Sequence, residues 1–186
     1  MSRPSVIMFS GKAQSGKTAS ANILKSLLEQ RGKRVLSVSM ADRLRHIATQ
    51  YLGWDGKKDE AGRELLQKLG TEKVRSKWPD FWVLNVLDII QIFEDDFDYI
   101  LIDDVRFRNE IVTIEHYGGG YETISVRVER PGFDNGLTEE QKAHESETQL
   151  DDFKFTIYIS ANDIFGLNEE VFHNVLKPVL WMGGGQ

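Results

Sequence analysis

A glycine-bracketed loop between an apolar strand and an amphipathic helix constrains this chain more than any other feature. Val6, Ile7, Met8 and Phe9 form a short β-prone apolar run, and Gly11-x-x-x-x-Gly16-Lys17-Thr18 follows at once. That spacing is the Walker A pattern, and from Ala19 to Leu28 the apolar residues recur at helical intervals. Glycine at Gly11 and Gly16 lets the backbone take positive φ and turn its N–H groups inward at a helix N-terminus, where anions are favoured. Lys17 is then placed to reach the β and γ phosphates of a nucleotide, and the Thr18 hydroxyl to bind Mg²⁺.

A buried first strand needs neighbours, and the chain supplies them in alternation with helices. Arg34 to Met40 reads as a second strand, Asp98 to Asp103 as a third, Tyr121 to Val128 as a fourth and Phe155 to Ile159 as a fifth. Between the second and third lie only helical patterns: Ala41 to Leu52, Glu60 to Lys68 closing at Gly70, Thr71 to Lys77 stopped by Pro79, and Trp82 to Phe93. Gly32 is placed to close the first helix, Gly118 to Gly120 the helix Asn109 to Tyr117, and Gly183 to Gly185 to fray after a last helix, Ile164 to Leu180. Strands alternating with helices predict an α/β fold: three layers around a central, mostly parallel sheet. The division expected is one domain over 1–186, with core 1–40, 97–129 and 153–182. A helical insertion would span about 41–96 and a short lid about 130–150.

Composition removes several classes of function. The 186 residues are 40% hydrophobic, enough for one cored domain, and the net charge of -6 opposes a protein that coats nucleic acid. There is no cysteine, hence no disulfide framework or thiolate chemistry. No signal peptide is evident, and the apolar run Phe81 to Ile92 is too short to cross a bilayer. A cytoplasmic protein, in the host cytoplasm if viral, with no membrane partner is expected.

In parallel sheets ligands sit at the carboxyl ends of the strands, so the phosphate loop and Asp103-Asp104 should face one crevice. Phosphoryl transfer asks for a held Mg²⁺, positive charge around the moving group, and alignment of donor with acceptor. Adjacent carboxylates on a strand point to opposite faces, so one of the two reaches the metal. Thr18 and Asp104 are the expected metal residues, with Asp103 the alternative. Arg106 and Arg108 follow the carboxylates, Arg63 and Arg75 lie in the insertion, and Arg127 and Arg130 flank the lid. A guanidinium stays charged and grips phosphate oxygens with two parallel donors. Trp54, Trp78, Phe81 and Trp82 cluster about the insertion, where an indole either stacks on a base or fills a core. His144 reads as a capping or lid residue rather than a general base.

Several stretches together resemble the phage-type deoxynucleoside monophosphate kinases, distant relatives of adenylate kinase. They are Ser10 to Thr18, Met40-Ala-Asp-Arg-Leu-Arg45, Gly62 to Arg75, Asp104-Val-Arg-Phe-Arg-Asn-Glu110 and His144-Glu-Ser-Glu147, in the expected order. The phosphate loop is generic; Gly-Thr-Glu-x-x-Arg and Asp-Val-Arg-Phe-x-Asn-Glu are far more specific. The resemblance implies a P-loop kinase moving the γ-phosphoryl group of ATP to a deoxynucleoside 5′-monophosphate, with ATP and Mg²⁺ required and a homodimer allowed. Carried over, Gly11, Lys12, Ala13, Ser15, Gly16, Lys17 and Thr18 would hold ATP. Arg45, Arg63, Gln67, Gly70, Thr71, Arg75, Trp82, Arg106 and Glu110 would line the acceptor site, and Arg130 would close from the lid, making Lys17, Arg106 and Arg130 the catalytic cations. The family often has Asp at the position of Thr18 and Pro at that of Arg108. Animal phosphomevalonate kinases share much of the pattern, and a regulatory P-loop NTPase is the reading outside enzymes. No Asn-Lys-x-Asp guanine-reading motif is present.

Overall fold

A computed structural model describes residues 3–117 and 120–182. Five parallel strands form the sheet: β1 (Ser5–Ser10), β2 (Val35–Val38), β3 (Tyr99–Val105), β4 (Thr123–Glu129) and β5 (Ile157–Ser160), in the order β2-β3-β1-β4-β5. Val6 pairs with Ile100 on one edge of β1 and with Thr123 on the other, so the phosphate loop leaves the sheet at its centre. The expected α/β, three-layer arrangement is the one found.

The continuous apolar runs in β1 and β3 follow from burial on both faces. Ile7, Phe9 and Leu101 point to one side, against Leu24 and Leu28 of α1 (Lys17–Glu29) and Val171, Val175 and Val179 of the C-terminal helices. Val6, Met8, Ile100 and Ile102 point to the other. There they meet Val83, Leu87 and Ile90 of α4 (Phe81–Phe93), and Ile111 and Ile114 of α5 (Arg108–His116).

The insertion carries a small core of its own. Ala48 of α2 (Ala41–Leu52), Trp54 and Leu69 are buried together, with Leu44, Ile47, Leu65, Leu66 and Val74 packed around them. Trp54 Nε1 donates to the Lys57 carbonyl at 2.9 Å and α3 (Glu60–Gln67) passes close by. A Cβ on Gly62 would collide with that same carbonyl, which explains glycine there.

Two helix boundaries differ from expectation. Gly70 does not end its helix: α3 runs straight into a π-helical segment, Lys68–Arg75, in which Ser76 N–H reaches back to the Thr71 carbonyl. Such widened turns recur at functional sites. Gly70 is needed instead for close packing, since a Cβ would sit 3.1 Å from Leu44 Cδ2. The last helix likewise has three parts: α8 (Ile164–Glu170), a π-helical segment Val171–Leu176, and α9 (Lys177–Met182). The lid folds as two short helices, α6 (Glu139–Ala143), capped by Thr138, and α7 (Glu145–Thr148), capped by His144. Gly118 and Gly119, expected to close a helix, and Gly183 to Gly185, expected to fray, lie outside the described residues. No helix among the described residues is long and apolar enough to cross a membrane.

Candidate active site

At the carboxyl ends of β1 and β3 a cleft of about 560 Å³ opens between the phosphate loop, the insertion and the lid. The loop is shaped by glycine where nothing else fits. Gly16 stands at φ 102 directly before α1, with Leu167 Cδ2 3.3 Å from where a Cβ would be. At Gly11 an added Cβ would be driven into the Val128 carbonyl oxygen. Gln14 is the non-glycine residue held at positive φ, 59°, a strain of the kind that binding loops store.

Lys17 is nearly buried and its Nζ folds back onto the loop, donating to the carbonyls of Gly11 at 2.9 Å and Lys12 at 2.6 Å. Burial, and then the Arg106 charge, hold its ammonium well below the ordinary lysine range, while Glu147 and Asp104 pull it up. Ala13, Gly16 and Thr18 line the cleft with it. Gly11, Lys12 and Ser15 do not: they form the back of the loop, and Lys12 Nζ turns away to the Glu147 carbonyl and to Asp151, 2.6 Å from Oδ2.

The two carboxylates of β3 have different work. β3 gains one residue relative to β1 between Ile102 and Val105, a bulge that re-aims both side chains. Asp104 accepts from the Met40 N–H at 2.7 Å through Oδ1 and from the Ala41 N–H at 3.2 Å through Oδ2. Each of its oxygens thus accepts one amide at the start of α2, while Asp104 also lines the cleft. Asp103 instead keeps a buried Oδ1 with no hydrogen-bond partner. Burial and then the Asp104 charge push its carboxyl above the usual range, opposed by the hydroxyls of Thr18 and Ser39 and by Arg45.

The residues expected to line an acceptor site come together from five elements. Arg45 of α2 donates to Ser39 Oγ and Asp42 Oδ1, both at 2.8 Å. Arg63 and Gln67, one turn apart on α3, face the cleft with Gly70 and Thr71 of the π-helical segment. Trp82 forms part of the wall, fixed by its Nε1 donating to the Gly70 carbonyl at 3.0 Å. Trp54 belongs to the insertion's core and Trp78 is solvent-exposed, so neither forms a base platform. Glu110 is almost completely buried and binds three donors: Arg75 Nη2 at 2.6 Å, and the N–H groups of Arg106 at 2.8 Å and Phe107 at 3.0 Å. Burial pushes its carboxyl up and Arg75 pulls it down. Its part is to set the arginines.

Three of the arginines singled out in the sequence do not line the cleft, and of these Arg127 donates to Asp151 Oδ1 at 3.1 Å. Arg130 lies over the Phe133 ring at 3.7 Å and donates through Nε to the Asn162 carbonyl. Arg108 pairs with Asp152 at the end of the lid. The residues that sequence reasoning passed over are Ser39, Phe107 and Glu147. Glu147 closes the His-Glu-Ser-Glu stretch, where its carboxylate Oε2 accepts the Ala13 N–H at 2.8 Å and Oε1 accepts Arg106 Nη1 at 2.5 Å.

No protein-family model and no curated protein sequence matches the chain. Solved structures share its fold. Mycobacterium tuberculosis APS kinase CysC in complex with AMPPNP and APS superposes with a TM-score of 0.58 at 15% identity, over 97% of this chain and 99% of that one. A mutant of the same enzyme gives 0.53 at 14% identity, over 97% and 99% of the two chains. TT1252 from Thermus thermophilus gives 0.52 at 19% identity, over 97% and 98%.

Proposed function

We propose that the protein is an ATP-dependent deoxynucleoside monophosphate kinase: dNMP and ATP give dNDP and ADP. What carries the reading is one cleft lined both by the phosphate loop and by Arg45, Arg63, Arg75 and Arg106. A phosphate loop alone fits any NTPase. A further set of guanidinium groups in the same cleft supplies what a phosphorylated acceptor needs.

Each residue then has a task. Lys17 leaves the Gly11 and Lys12 carbonyls for the donor's β and γ phosphates, which favour its charged form. Arg75 and Arg106 grip the acceptor 5′-phosphate, Arg75 held flat on the Phe107 ring at 3.7 Å and paired with Glu110. Its Nε is buried without a partner, a donor left for an anion. The acceptor phosphate is ionised near neutral pH and needs no strong base, which agrees with His144 serving as a helix cap. Trp82 and Leu66 offer apolar surface to a base, with Arg63 and Gln67 at its edge.

A Mg²⁺ ion fits the donor set at one end of the cleft, where the orphaned Asp103 Oδ1 and the Thr18 hydroxyl would hold it through or beside water. When bound it would supply positive charge that offsets the charge developing on the transferring phosphoryl group. Among the described residues no cluster of three or more His, Cys, Asp or Glu is placed to hold a metal.

The test is ADP release with ATP and Mg²⁺ against each dNMP, each NMP, phosphomevalonate, APS and no acceptor. Release stimulated by dNMPs above the acceptor-free rate is expected. Stimulation by phosphomevalonate or APS alone would reassign the acceptor, and release indifferent to every acceptor would leave a regulatory NTPase.

A further inference from the structure

The lid reaches the phosphate loop with carboxylates. Glu147 is 8% exposed, and its two oxygens are divided between the Ala13 amide and Arg106. Arg106 Nη1 is further held by the Ser146 carbonyl at 3.2 Å. Four residues on, Asp151 takes Lys12 through one oxygen and Arg127 Nη2, at 3.1 Å, through the other. Gln14 Nε2 donates to the Asn135 carbonyl at 2.9 Å, so the loop is tied to both ends of the lid.

A carboxylate that gives one oxygen to a phosphate-loop amide and the other to a guanidinium makes contacts of the kind that a nucleotide phosphate group makes in such a loop. One N–H cannot serve both, and two anions in contact within a poorly solvated cleft repel strongly. Occupation of this place by Glu147 and by phosphate is therefore mutually exclusive. Once phosphate takes the Ala13 amide, Glu147 loses one of its two partners and its hold on Arg106 weakens.

We infer that Glu147 is a positioning residue, an internal stand-in for phosphate. It competes with the donor's phosphates for the Ala13 amide and keeps Arg106 from the acceptor until the donor has bound. The acceptor half of this inference rests on the kinase reading above; the competition for the loop does not. Donor binding would then prepare the acceptor site, and the two substrates would bind with positive synergy.

The experiment is calorimetric titration of the full chain and its Glu147→Gln variant, first with tripolyphosphate, then with AMPPNP and Mg²⁺, then with a dNMP in the presence and absence of AMPPNP. Glutamine keeps the shape and removes the charge. Tripolyphosphate is expected to bind the variant at least tenfold more tightly than the wild type. AMPPNP should tighten dNMP binding at least fivefold in the wild type and leave it nearly unchanged in the variant. A purely structural role for Glu147 would instead weaken every ligand in the variant; equal or weaker tripolyphosphate binding by a folded variant overturns the inference. Tighter tripolyphosphate with no dNMP binding to either protein keeps the competition and removes the dNMP reading. Should the variant not fold, tripolyphosphate added to the wild type is expected to speed tryptic cleavage after Lys142 in the lid at least threefold, and an unchanged rate overturns the inference.

Discussion

Arg75 donates through Nη2 to Oε1 of Glu110 at 2.6 Å, and the carboxylate that receives it is 1% exposed. Glu110 also accepts the backbone N–H groups of Arg106 and Phe107, so one buried side chain fixes the turn out of β3 and the orientation of an arginine from the insertion. Glu110→Ala strips three donors of their acceptor and leaves the Arg75 charge uncompensated. Urea denaturation should show a loss of about 3 kcal/mol, the size seen when one partner of a buried pair is removed. The KM for the acceptor should rise in parallel, since Arg75 is no longer held in place.

Lys17→Ala removes the cation nearest the phosphate loop while deleting only two hydrogen bonds to loop carbonyls. Transfer should fall by ~10³ or more, with the melting temperature within a few degrees of wild type. A variant retaining a tenth of the activity would remove Lys17 from the reaction.

The depressed pKa of Lys17 gives a proton-linkage prediction. The folded protein favours the neutral amine, so between that lowered value and about 10.4 for the unfolded chain, the unfolded state binds more protons. Stability should rise with pH across that window and be lost as pH falls through it. Bound phosphate favours the charged amine and so opposes the shift. Titrating AMPPNP at about pH 9 in buffers of different ionisation enthalpy should therefore show net proton uptake, absent in Lys17→Met. No uptake in the wild type would mean that Lys17 is already charged before the nucleotide arrives.

Asp103 and Asp104 should separate cleanly. The Asp103 carboxyl sits above its ordinary pKa, so the charged form is disfavoured in the fold, and this penalty grows as pH rises through the folded pKa. Asp103→Asn should leave stability unchanged or raised at neutral pH, while lowering Mg²⁺-dependent turnover by ~10². Asp104→Asn replaces one acceptor of the Met40 and Ala41 amides by a donor and should cost about 1–2 kcal/mol, with the Mg²⁺ requirement intact. The reverse pattern would return the metal to Asp104.

Arg106→Ala should raise the acceptor KM by ~10² and change the AMPPNP dissociation constant less than about threefold. An acceptor KM near the wild-type value would move the acceptor phosphate elsewhere in the cleft.

Much of this architecture can be read along the chain because periodicity and glycine placement are local. The runs Val6 to Phe9 and Tyr99 to Ile102 announce strands buried on both faces, and Gly11 and Gly16 mark backbone positions a Cβ would obstruct. The roles of Asp103 and Asp104 could not be read the same way. They depend on a bulge in β3 and on the distance to the start of α2, neither of which leaves a pattern in the residues. Gly70 illustrates the same limit: a glycine at the end of a helical pattern reads as a stop, whereas here it answers to Leu44 across the insertion. The role of Glu147, part of the His144 to Glu147 stretch, could not be assigned because its partners, Ala13 and Arg106, are more than a hundred and some forty positions away in the chain.

The central position of β1 has a consequence for how the chain is made. Val6 finds its partners at Ile100 and Thr123, so this strand, apolar on both faces, is synthesised long before either neighbour exists. At roughly 5–20 residues per second on the ribosome, it waits several seconds with both edges open. Until β3 emerges, Val6 to Phe9 is a sticky segment whose safety depends on α1 folding over it or on a chaperone. The loop that follows β1 packs against the Val128 carbonyl and the Glu147 carboxylate, partners that are made more than a hundred residues later.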